Sequence, residues 1–510
     1  MLTIEKLTKE YDELSYLSET QKLSNEFIFD KIAYFDEKYK NFKEHYTCFE
    51  GLLSNIGIDQ SSIPVLNCVL KRLEEKKDNL EQNKFHFDFG NTLCNKASIE
   101  VDQANHLQSL IKSETYRESR KYFSIVKKDK SDHHERANTN IAMILERYGR
   151  NYEAIKTYDN ILKYSPKFGM ALGGKAISIL SYIQMAPQLS LRLANTACEL
   201  LTEALEDKKI LLIGGPKSFE FFKSRLEDIE SFLSENNFKS SNYELPKSIS
   251  KYERFILNND LYLNYDFGYY YDKLSLQDTF FPGCIEKIDE KRFDKSVVMT
   301  EKIYYSFQVF NQILEDFTTC RYSFFQTENL KHKRIDSKVN YVYTYDYTMH
   351  SLKYGLYKSV FSSLYNILDK IAHLAKFYYS DTISSFTNTK IYFEWLTKNE
   401  FKNIIINNNS YHLLALHSLA IDFKSNNIYH HINQIRNRIT HSFININVDI
   451  AYSSKYSDFE ITEGTLKIRI KELFIIVKSA LLYLIVAINN TGNRENTCHL
   501  DATMQKYIFK

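Results

Sequence analysis

The chain of 510 residues is too long for one hydrophobic core, which predicts about two to four domains. Its net charge of +2 excludes a general electrostatic attraction to nucleic acid, so any RNA site must be local and built from a few Lys and Arg side chains. Seven scattered cysteines without a C-x-x-C pair argue against a disulfide frame or a zinc site, and favour reduced thiols in a cytoplasmic protein.

Glycine and proline are both scarce, with 14 and 6 residues, and this predicts long helices with few tight turns. The last proline is Pro282, so the second half of the chain has no residue of this helix-breaking type. The predicted fold class is therefore all-α, with an N-terminal region of helical repeats followed by a C-terminal bundle of four or five helices.

Helical repeats are predicted in the first half of the chain. Residues 1–80 have a helical period and many Glu and Lys side chains, but no pattern that predicts chemistry. From 81 to 235 a pattern recurs, with one copy at 87–93, a second at 137–145 and a further first helix at 168–176. The second copy, which continues into a second helix, is the complete one.

This second copy contains the residues that two close antiparallel helices need. Ala142 and Ala154 are small enough for a close approach, and Gly149 falls at the turn between the helices. Tyr158 would fill the space between them, and Pro166 ends the second helix. The pattern resembles a tetratricopeptide repeat, although the usual large aromatic residue of the first helix is missing. A stack of helical hairpins without a repeat is the alternative, and either arrangement offers a curved surface for a protein or peptide partner.

A different organisation is predicted after residue 235. Residues 236–297 form a polar linker and a Tyr-rich connecting region without assignable chemistry, 298–492 form a helical bundle, and 493–510 form a C-terminal tail. Five helices and one extended segment are predicted in the bundle. The helices are expected at about 301–328, 349–379, 411–424, 428–442 and 464–490, and the extended segment at 443–448.

The most apolar run of the chain lies at 473–488. It contains Lys478 and Ser479 and is shorter than the roughly 20 apolar residues that a membrane span needs. A fully buried helix is therefore expected, with no membrane association. The first six residues carry mixed charge, which predicts no secretory signal and again a cytoplasmic protein.

The segment 436–441 carries a fixed cation, an amide and a titratable imidazole within one and a half turns of a predicted helix. Arg436 can hold phosphoryl oxygens with paired hydrogen bonds, while His441 can move a proton near neutral pH. Asn437 shares a helix face with His441, but Arg436 points roughly 140° away on an ideal helix. The length of the Arg side chain, a helix break near His441, or a facing copy in a homodimer would bring the two together.

Three segments together resemble the HEPN superfamily (higher eukaryotes and prokaryotes nucleotide-binding): the motif 436–441, the apolar helix before it and the segment 365–372. Helical repeats ahead of such a bundle resemble a prokaryotic subfamily with an N-terminal tetratricopeptide region and a C-terminal HEPN domain. This resemblance implies a metal-independent endoribonuclease without a cofactor. In its mechanism the 2′-hydroxyl of an RNA substrate attacks the adjacent phosphate and leaves a cyclic phosphate end. It also implies a homodimer through the HEPN domain and a role as a toxin or defence effector.

The resemblance assigns a role to each candidate residue. His441 would be the general base or acid, Arg436 would stabilise charge in the transition state, and Asn437 would orient His441 or the phosphate. Asp369, on an earlier helix, would support the site, with a surface ion pair as its alternative interpretation. Phe443 stands where another HEPN branch carries a Tyr that a paired nucleotidyltransferase modifies, so that control is not expected. The competing hypothesis is a non-catalytic module that binds a nucleotide or a protein.

Two further patterns do not predict a site. Residues 214–218 lack the spacing of a phosphate-binding loop, and Pro216 removes an amide donor. The adjacent histidines at 133–134 and at 430–431 diverge on a helix and have no acidic or cysteine cluster beside them. They are expected to be solvated.

Overall fold

The structure is a computed structural model, and it describes residues 3–101, 103–183, 190–236, 249–264, 276–282, 284–285, 301–330, 351–379, 391–447, 460–494 and 498–499. Over these residues the fold is all-α, as predicted, with a few short strands. The chain divides into two compact units. The first contains Met1–Tyr182 and Ala194–Asn236, and the second contains Ile183–Leu193 and Asn237–Lys510. The finer domain boundaries drawn from the sequence stay predictions.

The helices described up to residue 236 follow one another with short connections. They are α1 Ile4–Thr20, α2 Asn25–Tyr39, α3 Lys43–Asp59, α4 Ile63–Lys76, α5 Gln82–Glu100, α6 His106–Lys112, α7 Thr115–Ile125, α8 His133–Arg147, α9 Asn151–Tyr164, α10 Gly169–Ile183, α11 Ser190–Glu206, α12 Ile210–Ile213 and α13 Gly215–Glu235. Side-chain caps begin several of them. The hydroxyl of Ser24 accepts from the Phe27 amide at α2, and that of Ser62 accepts from the Val65 amide at α4.

Helices α8 and α9 form the hairpin that the sequence predicts. Gly149 has a φ of 74° at the turn, a conformation that favours glycine. The side chains of Ala142, Ala154 and Tyr158 are fully buried in one cluster between the helices. Helix α9 ends at Tyr164, two residues before Pro166. A helical N-terminal region is therefore established, while its assignment to tetratricopeptide repeats stays a prediction.

The second unit is a bundle built on three long helices. Its helices are α14 Lys251–Asn258, α15 Glu301–Asn329, α16 Leu352–Tyr379, a 3-10 helix at Phe393–Thr397, α17 Asn399–Asn408, α18 Tyr411–Ile421, α19 His430–His441 and α20 Glu463–Arg494. Two short strand pairs accompany them. Strand β1 Cys284–Ile285 pairs antiparallel with β4 Cys498–His499, and β2 Asn445–Asn447 pairs parallel with β3 Glu460–Thr462.

All five helices predicted in the bundle are present, with ends that differ by a few residues. The extended segment predicted after the motif is present as β2. Among the helices after residue 298, the sequence did not predict the 3-10 helix or α17. Both are short, and a run of ten residues or fewer gives too few turns for a helical period to stand out.

Helix α20 is the central helix of the second unit. By length and composition it could cross a membrane, so the expectation that this run is too short was wrong. However, 83% of its most apolar 18-residue stretch is buried inside the protein, as is typical of a helix in the core of a protein. Lys478 on this helix is almost fully buried, and its Nζ lies 2.8 Å from Oδ1 of Asp260. The predicted buried helix is thus confirmed.

Contacts at both ends hold α19 in place. Near its start, Nε2 of His431 lies 3.2 Å from Oε2 of Glu472 on α20, and Arg469 donates to the same oxygen at 2.7 Å. After its end, Nζ of Lys358 on α16 donates to the carbonyl oxygen of Ile444 at 2.8 Å. These contacts fix the orientation of the helix that carries the motif.

Candidate active site

Helix α19 is amphipathic, and this decides which of its side chains are available. Ile432 and Ile435 are buried and anchor one face against the bundle. On other faces Asn437 and His441 are exposed, and Arg436 is half-buried. The helix ends at His441, because the next residue, Ser442, leaves the helical conformation with φ −143° and ψ −132°. The motif therefore lies at an exposed helix end on a buried anchor.

The side chains of Arg436 and His441 meet within one chain. Nη1 of Arg436 lies 3.2 Å from Nε2 of His441, although the two residues point in different directions from the helix axis. The length of the Arg side chain closes the gap, which is the first of the three routes that the sequence left open. A guanidinium group only donates hydrogen bonds. In this contact Nε2 of His441 can therefore only be the acceptor.

The partners of Arg436 carry no negative charge. Its Nη1 also donates to Oδ1 of Asn437 at 3.1 Å, and its guanidinium lies 5.3 Å from the centre of the Tyr365 ring. Among the ion pairs of the described residues, none includes Arg436. Its positive charge is held in place by an amide, an imidazole and an aromatic ring, and so remains available to an anionic ligand.

Asp369 lies close to this group but has a different bonding partner. Its Oδ1 accepts from the backbone amide of Phe393 at 2.7 Å, at the first residue of the 3-10 helix. Burial raises the pKa of its carboxyl, while the Phe393 amide and the charge of Arg436 act in the opposite direction. In the described part of the chain Asp369 forms no ion pair, and the surface ion pair stays an alternative interpretation. Asp369 fixes the 3-10 helix against α16.

A cavity of about 380 Å³ opens beside Arg436. One face of α19 forms a wall, with His430, Asn433 and Arg436 at successive three-residue spacings. The second wall is α16, and the third is the 3-10 helix together with the residue before it. The fourth is the end of α18 together with the turn that follows it. Their lining residues are Tyr365, Asp369, Tyr392, Phe393, Glu394, Ala420, Phe423, Lys424 and Ser425.

Tyr365 connects the cavity to the motif. Its hydroxyl donates to Oδ1 of Asn433 at 3.3 Å, and its ring lies beneath the Arg436 guanidinium. Burial, together with the nearby charge of Asp369, raises the pKa of the Tyr365 hydroxyl to about 12. The hydroxyl therefore stays protonated at physiological pH and acts as a fixed donor.

The structure thus brings three of the four predicted residues together in different ways. Arg436 contacts both Asn437 and His441, but Asn437 binds Arg436 and no bond to His441 is present among the described side chains. Asp369 lines the cavity, as Arg436 and Tyr365 do. The expectation that the histidines at 430–431 are solvated was wrong for His431, which pairs with Glu472, and Nδ1 of His430 is buried at the cavity wall.

The sequence reading missed the cavity residues Tyr365, His430 and Asn433 as members of the site. A signal for them was present: His430 and Asn433 precede Arg436 by six and three residues, and Tyr365 precedes Asp369 by four. Such spacings place side chains on a shared helix face. Nothing in the sequence, however, indicates that these two faces oppose each other across a cavity.

Residues 297–491 match the sequence profile of a family described as LA2681-like HEPN. The C-terminal part of this chain is a HEPN domain. The match contains the whole motif 436–441, Asp369 and every residue that lines the cavity, so the predicted HEPN resemblance of the bundle is confirmed. It does not extend to the helical N-terminal region. No curated protein and no solved structure matches the chain.

Proposed function

We propose that the HEPN domain is a metal-independent endoribonuclease whose reacting groups are Arg436 and His441. The observation that carries this proposal is the 3.2 Å contact between Nη1 of Arg436 and Nε2 of His441, at an exposed helix end and without a carboxylate partner for Arg436 among the described residues. A proton-transfer group and an unneutralised cation at one point are what cleavage of a phosphodiester requires.

The reaction uses both groups in sequence. The RNA phosphate takes the place of His441 as the acceptor for Arg436, because a charged oxygen is a stronger acceptor than a neutral imidazole. Nε2 of His441, now free, removes the proton from the 2′-hydroxyl. The 2′-oxygen then bonds to phosphorus, the bond from phosphorus to the 5′-oxygen breaks, and the leaving oxygen takes a proton from solvent. Arg436 stabilises the additional charge on the phosphoryl oxygens, and the products are a 2′,3′-cyclic phosphate and a 5′-hydroxyl.

Asn437 has a supporting role in this scheme. Its Oδ1 accepts from Nη1 of Arg436 at 3.1 Å, which restricts the guanidinium to the side of the helix where His441 lies. We therefore assign Asn437 as a positioning residue for Arg436, and not for His441.

The test is cleavage of RNA by the purified full chain in the presence of EDTA, with analysis of the ends that form. We expect cyclic phosphate and 5′-hydroxyl ends from the wild type, and at least a hundredfold slower cleavage by His441→Ala. Equal cleavage by both proteins would sink the assignment of His441. Loss of wild-type cleavage in EDTA would sink the metal-independent mechanism.

A non-catalytic nucleotide-binding module is the second candidate, because a cavity of about 380 Å³ with aromatic walls is by itself sufficient for binding. A comparison of the wild type with His441→Ala distinguishes the two functions. A module that only binds would retain nucleotide without any change in the RNA, and its binding would be insensitive to His441→Ala.

The wider role stays a proposal drawn from the resemblance. We propose a toxin or defence effector that is regulated by a protein or peptide partner on the helical N-terminal region. Growth arrest on expression of the wild type, but not of His441→Ala, is the expected result. A homodimer is also proposed, although the Arg436–His441 contact forms within one chain and does not require it. Cleavage rates that rise linearly with protein concentration, from a species of one chain, would overturn the dimer.

A further inference from the structure

The cavity beside Arg436 combines aromatic walls with polar groups that have unused bonding capacity. Tyr365 on α16, Phe393 in the 3-10 helix and Phe423 in the turn after α18 line it. The ring of Phe423 contacts the other two edge to face, with ring centres 6.1 Å from that of Tyr365 and 5.5 Å from that of Phe393. Tyr392 also lines the cavity and is 53% exposed. An aromatic ring that is open to solvent beside an enclosed aromatic wall offers a stacking surface for a planar ligand.

The polar groups of the cavity present an acceptor and a donor. Oδ1 of Asp369 is occupied by the Phe393 amide, and its second oxygen has no partner among the described residues. Oδ1 of Asn433 is occupied by the Tyr365 hydroxyl, which leaves its amide nitrogen to donate. Nδ1 of His430 is buried at the same wall without a partner in the part of the chain that the structure describes. Buried polar groups that lack partners are expected to be satisfied by a ligand or by water.

This pattern matches the edge of a nucleobase that carries an exocyclic amino group. In adenine and cytosine an amino donor lies next to a ring nitrogen that accepts, which complements a carboxylate oxygen beside an amide donor. Uracil has carbonyl oxygens in place of the amino group, and these would face the Asp369 carboxylate. Since Arg436 lines both the cavity and the proposed cleavage site, a base in the cavity would have its phosphate at the guanidinium.

We propose that this cavity binds the nucleobase next to the scissile phosphate and selects adenine and cytosine over uracil and guanine. Asp369 reads the amino group, Asn433 donates to the ring, and Tyr392 stacks on the base. The inference rests on the proposed function, because it takes RNA and not a free nucleotide as the ligand. It gives the HEPN domain a base preference of its own, next to a motif that contacts only phosphate and ribose.

The test measures binding without cleavage. Short labelled RNA oligonucleotides carry a 2′-O-methyl group at the cleaved position, so that they bind but do not react. The base on either side of that position is adenine, cytosine, guanine, uracil or purine, the last of which lacks the amino group. For the full-length wild type we expect about tenfold tighter binding of adenine and cytosine than of guanine, uracil and purine. Adenosine monophosphate forms a separate arm, and tighter binding of this nucleotide than of the oligonucleotide would overturn the assignment to RNA.

Two variants locate the effect. Asp369→Asn keeps an oxygen that can accept from the Phe393 amide but loses the carboxylate, and we expect it to bind all bases within about twofold of one another. Tyr392→Ala should weaken the binding of oligonucleotides with any of these bases by a similar factor, about fivefold or more. Asp316→Asn and Tyr322→Ala are the matched controls, since Asp316 lies outside the cavity lining and Tyr322 is an exposed tyrosine of the same unit, and both should bind as the wild type does.

Failure of this inference is distinct from failure of the proposed function. Cleavage that is indifferent to base and to Asp369→Asn would overturn the base pocket and leave the ribonuclease intact. Base-selective binding without any cleavage would overturn the ribonuclease and leave the pocket. Circular dichroism would reveal whether Asp369→Asn unfolds. In that case Tyr392→Ala tests the pocket, because the exposed side chain of Tyr392 does not support the fold. Unchanged affinity of Tyr392→Ala for RNA would overturn the pocket.

Discussion

Two arginines, one in each unit, show opposite uses of the same side chain. Arg150 in the N-terminal unit is fully buried, and its Nε and Nη2 donate to the two carboxylate oxygens of Glu153 at 2.8 and 2.6 Å. Arg436 in the HEPN domain is half-buried and is held by Asn437, His441 and the Tyr365 ring, none of which carries a negative charge. The first charge is neutralised inside the fold, whereas the second remains available to a ligand.

The difference shows how a functional cation is recognised in a chain whose net charge is only +2. A count of basic residues gives Arg150 and Arg436 equal weight, since both are permanently charged. What separates them is the chemistry of the partners. A carboxylate holds an arginine in the fold, whereas an imidazole, an amide and a ring orient it without neutralising its charge.

The largest effect is expected at Arg436. Arg436→Met keeps the bulk of the side chain but removes the charge, and we expect cleavage to fall about 100- to 1,000-fold because charge stabilisation in the transition state is lost. The free energy of unfolding should change by less than about 1 kcal/mol, since Arg436 forms no ion pair with a carboxylate among the described residues. Initial rates on RNA and urea unfolding measure the two quantities. Arg254→Met, at an exposed arginine of the same unit, is the control and should retain full activity.

Arg150 should show the reverse behaviour. Arg150→Met removes the buried guanidinium that pairs with the carboxylate of Glu153, so we expect a loss of about 3 to 5 kcal/mol in the free energy of unfolding. Urea unfolding, followed by circular dichroism, measures it. Replacing both partners, as in Arg150→Met with Glu153→Leu, should recover most of the loss. Arg225→Met serves as the control, because its pair with Asp228 is exposed, and a loss as large there would contradict the argument.

A third prediction concerns pH and the N-terminal unit. Burial raises the pKa of the Glu146 carboxyl to about 7, while the hydroxyl of Ser178 donates to it and limits the rise. In the unfolded chain this group ionises near its ordinary pKa of 4.5, so between pH 4.5 and 7 only the folded state holds the proton. The contribution of Glu146 to stability is thus highest below pH 4.5, decreases by about 3 kcal/mol up to pH 7, and changes no further above it.

Glu146→Gln tests this assignment, because the amide has the shape of the protonated carboxyl and does not titrate. Unfolding in urea at pH 5 and at pH 8 should show a difference in the wild type that is absent in the variant. If the free energy of unfolding of the variant changes with pH as much as that of the wild type, groups other than Glu146 control the pH dependence.

The sequence predicted the helices of the bundle and the motif well, but it did not predict how they form a site. Long helices such as α16 and α20 repeat their apolar pattern over many turns, which makes them recognisable. The sequence did not decide whether Arg436 and His441 are in contact. Helical geometry alone separates the two side chains, and only the length of the arginine side chain brings them together. The cavity was not predictable, since the 3-10 helix that supplies Phe393 is a single short element, fixed by a tertiary hydrogen bond that the Phe393 amide donates to Asp369.

The smallest effect should appear at Tyr365, which holds Arg436 through its ring and not through its charge. Tyr365→Phe keeps the ring beneath the guanidinium and loses only the hydrogen bond to Asn433, so we expect cleavage to fall less than tenfold. Tyr365→Leu also removes the ring and should cost a further fivefold or so, the size of a partly exposed cation–π contact. Both variants should lower the rate without changing the pH profile, because His441 is untouched. A shifted profile would show instead that Tyr365 acts on the proton transfer, and that the ring does more than orient Arg436.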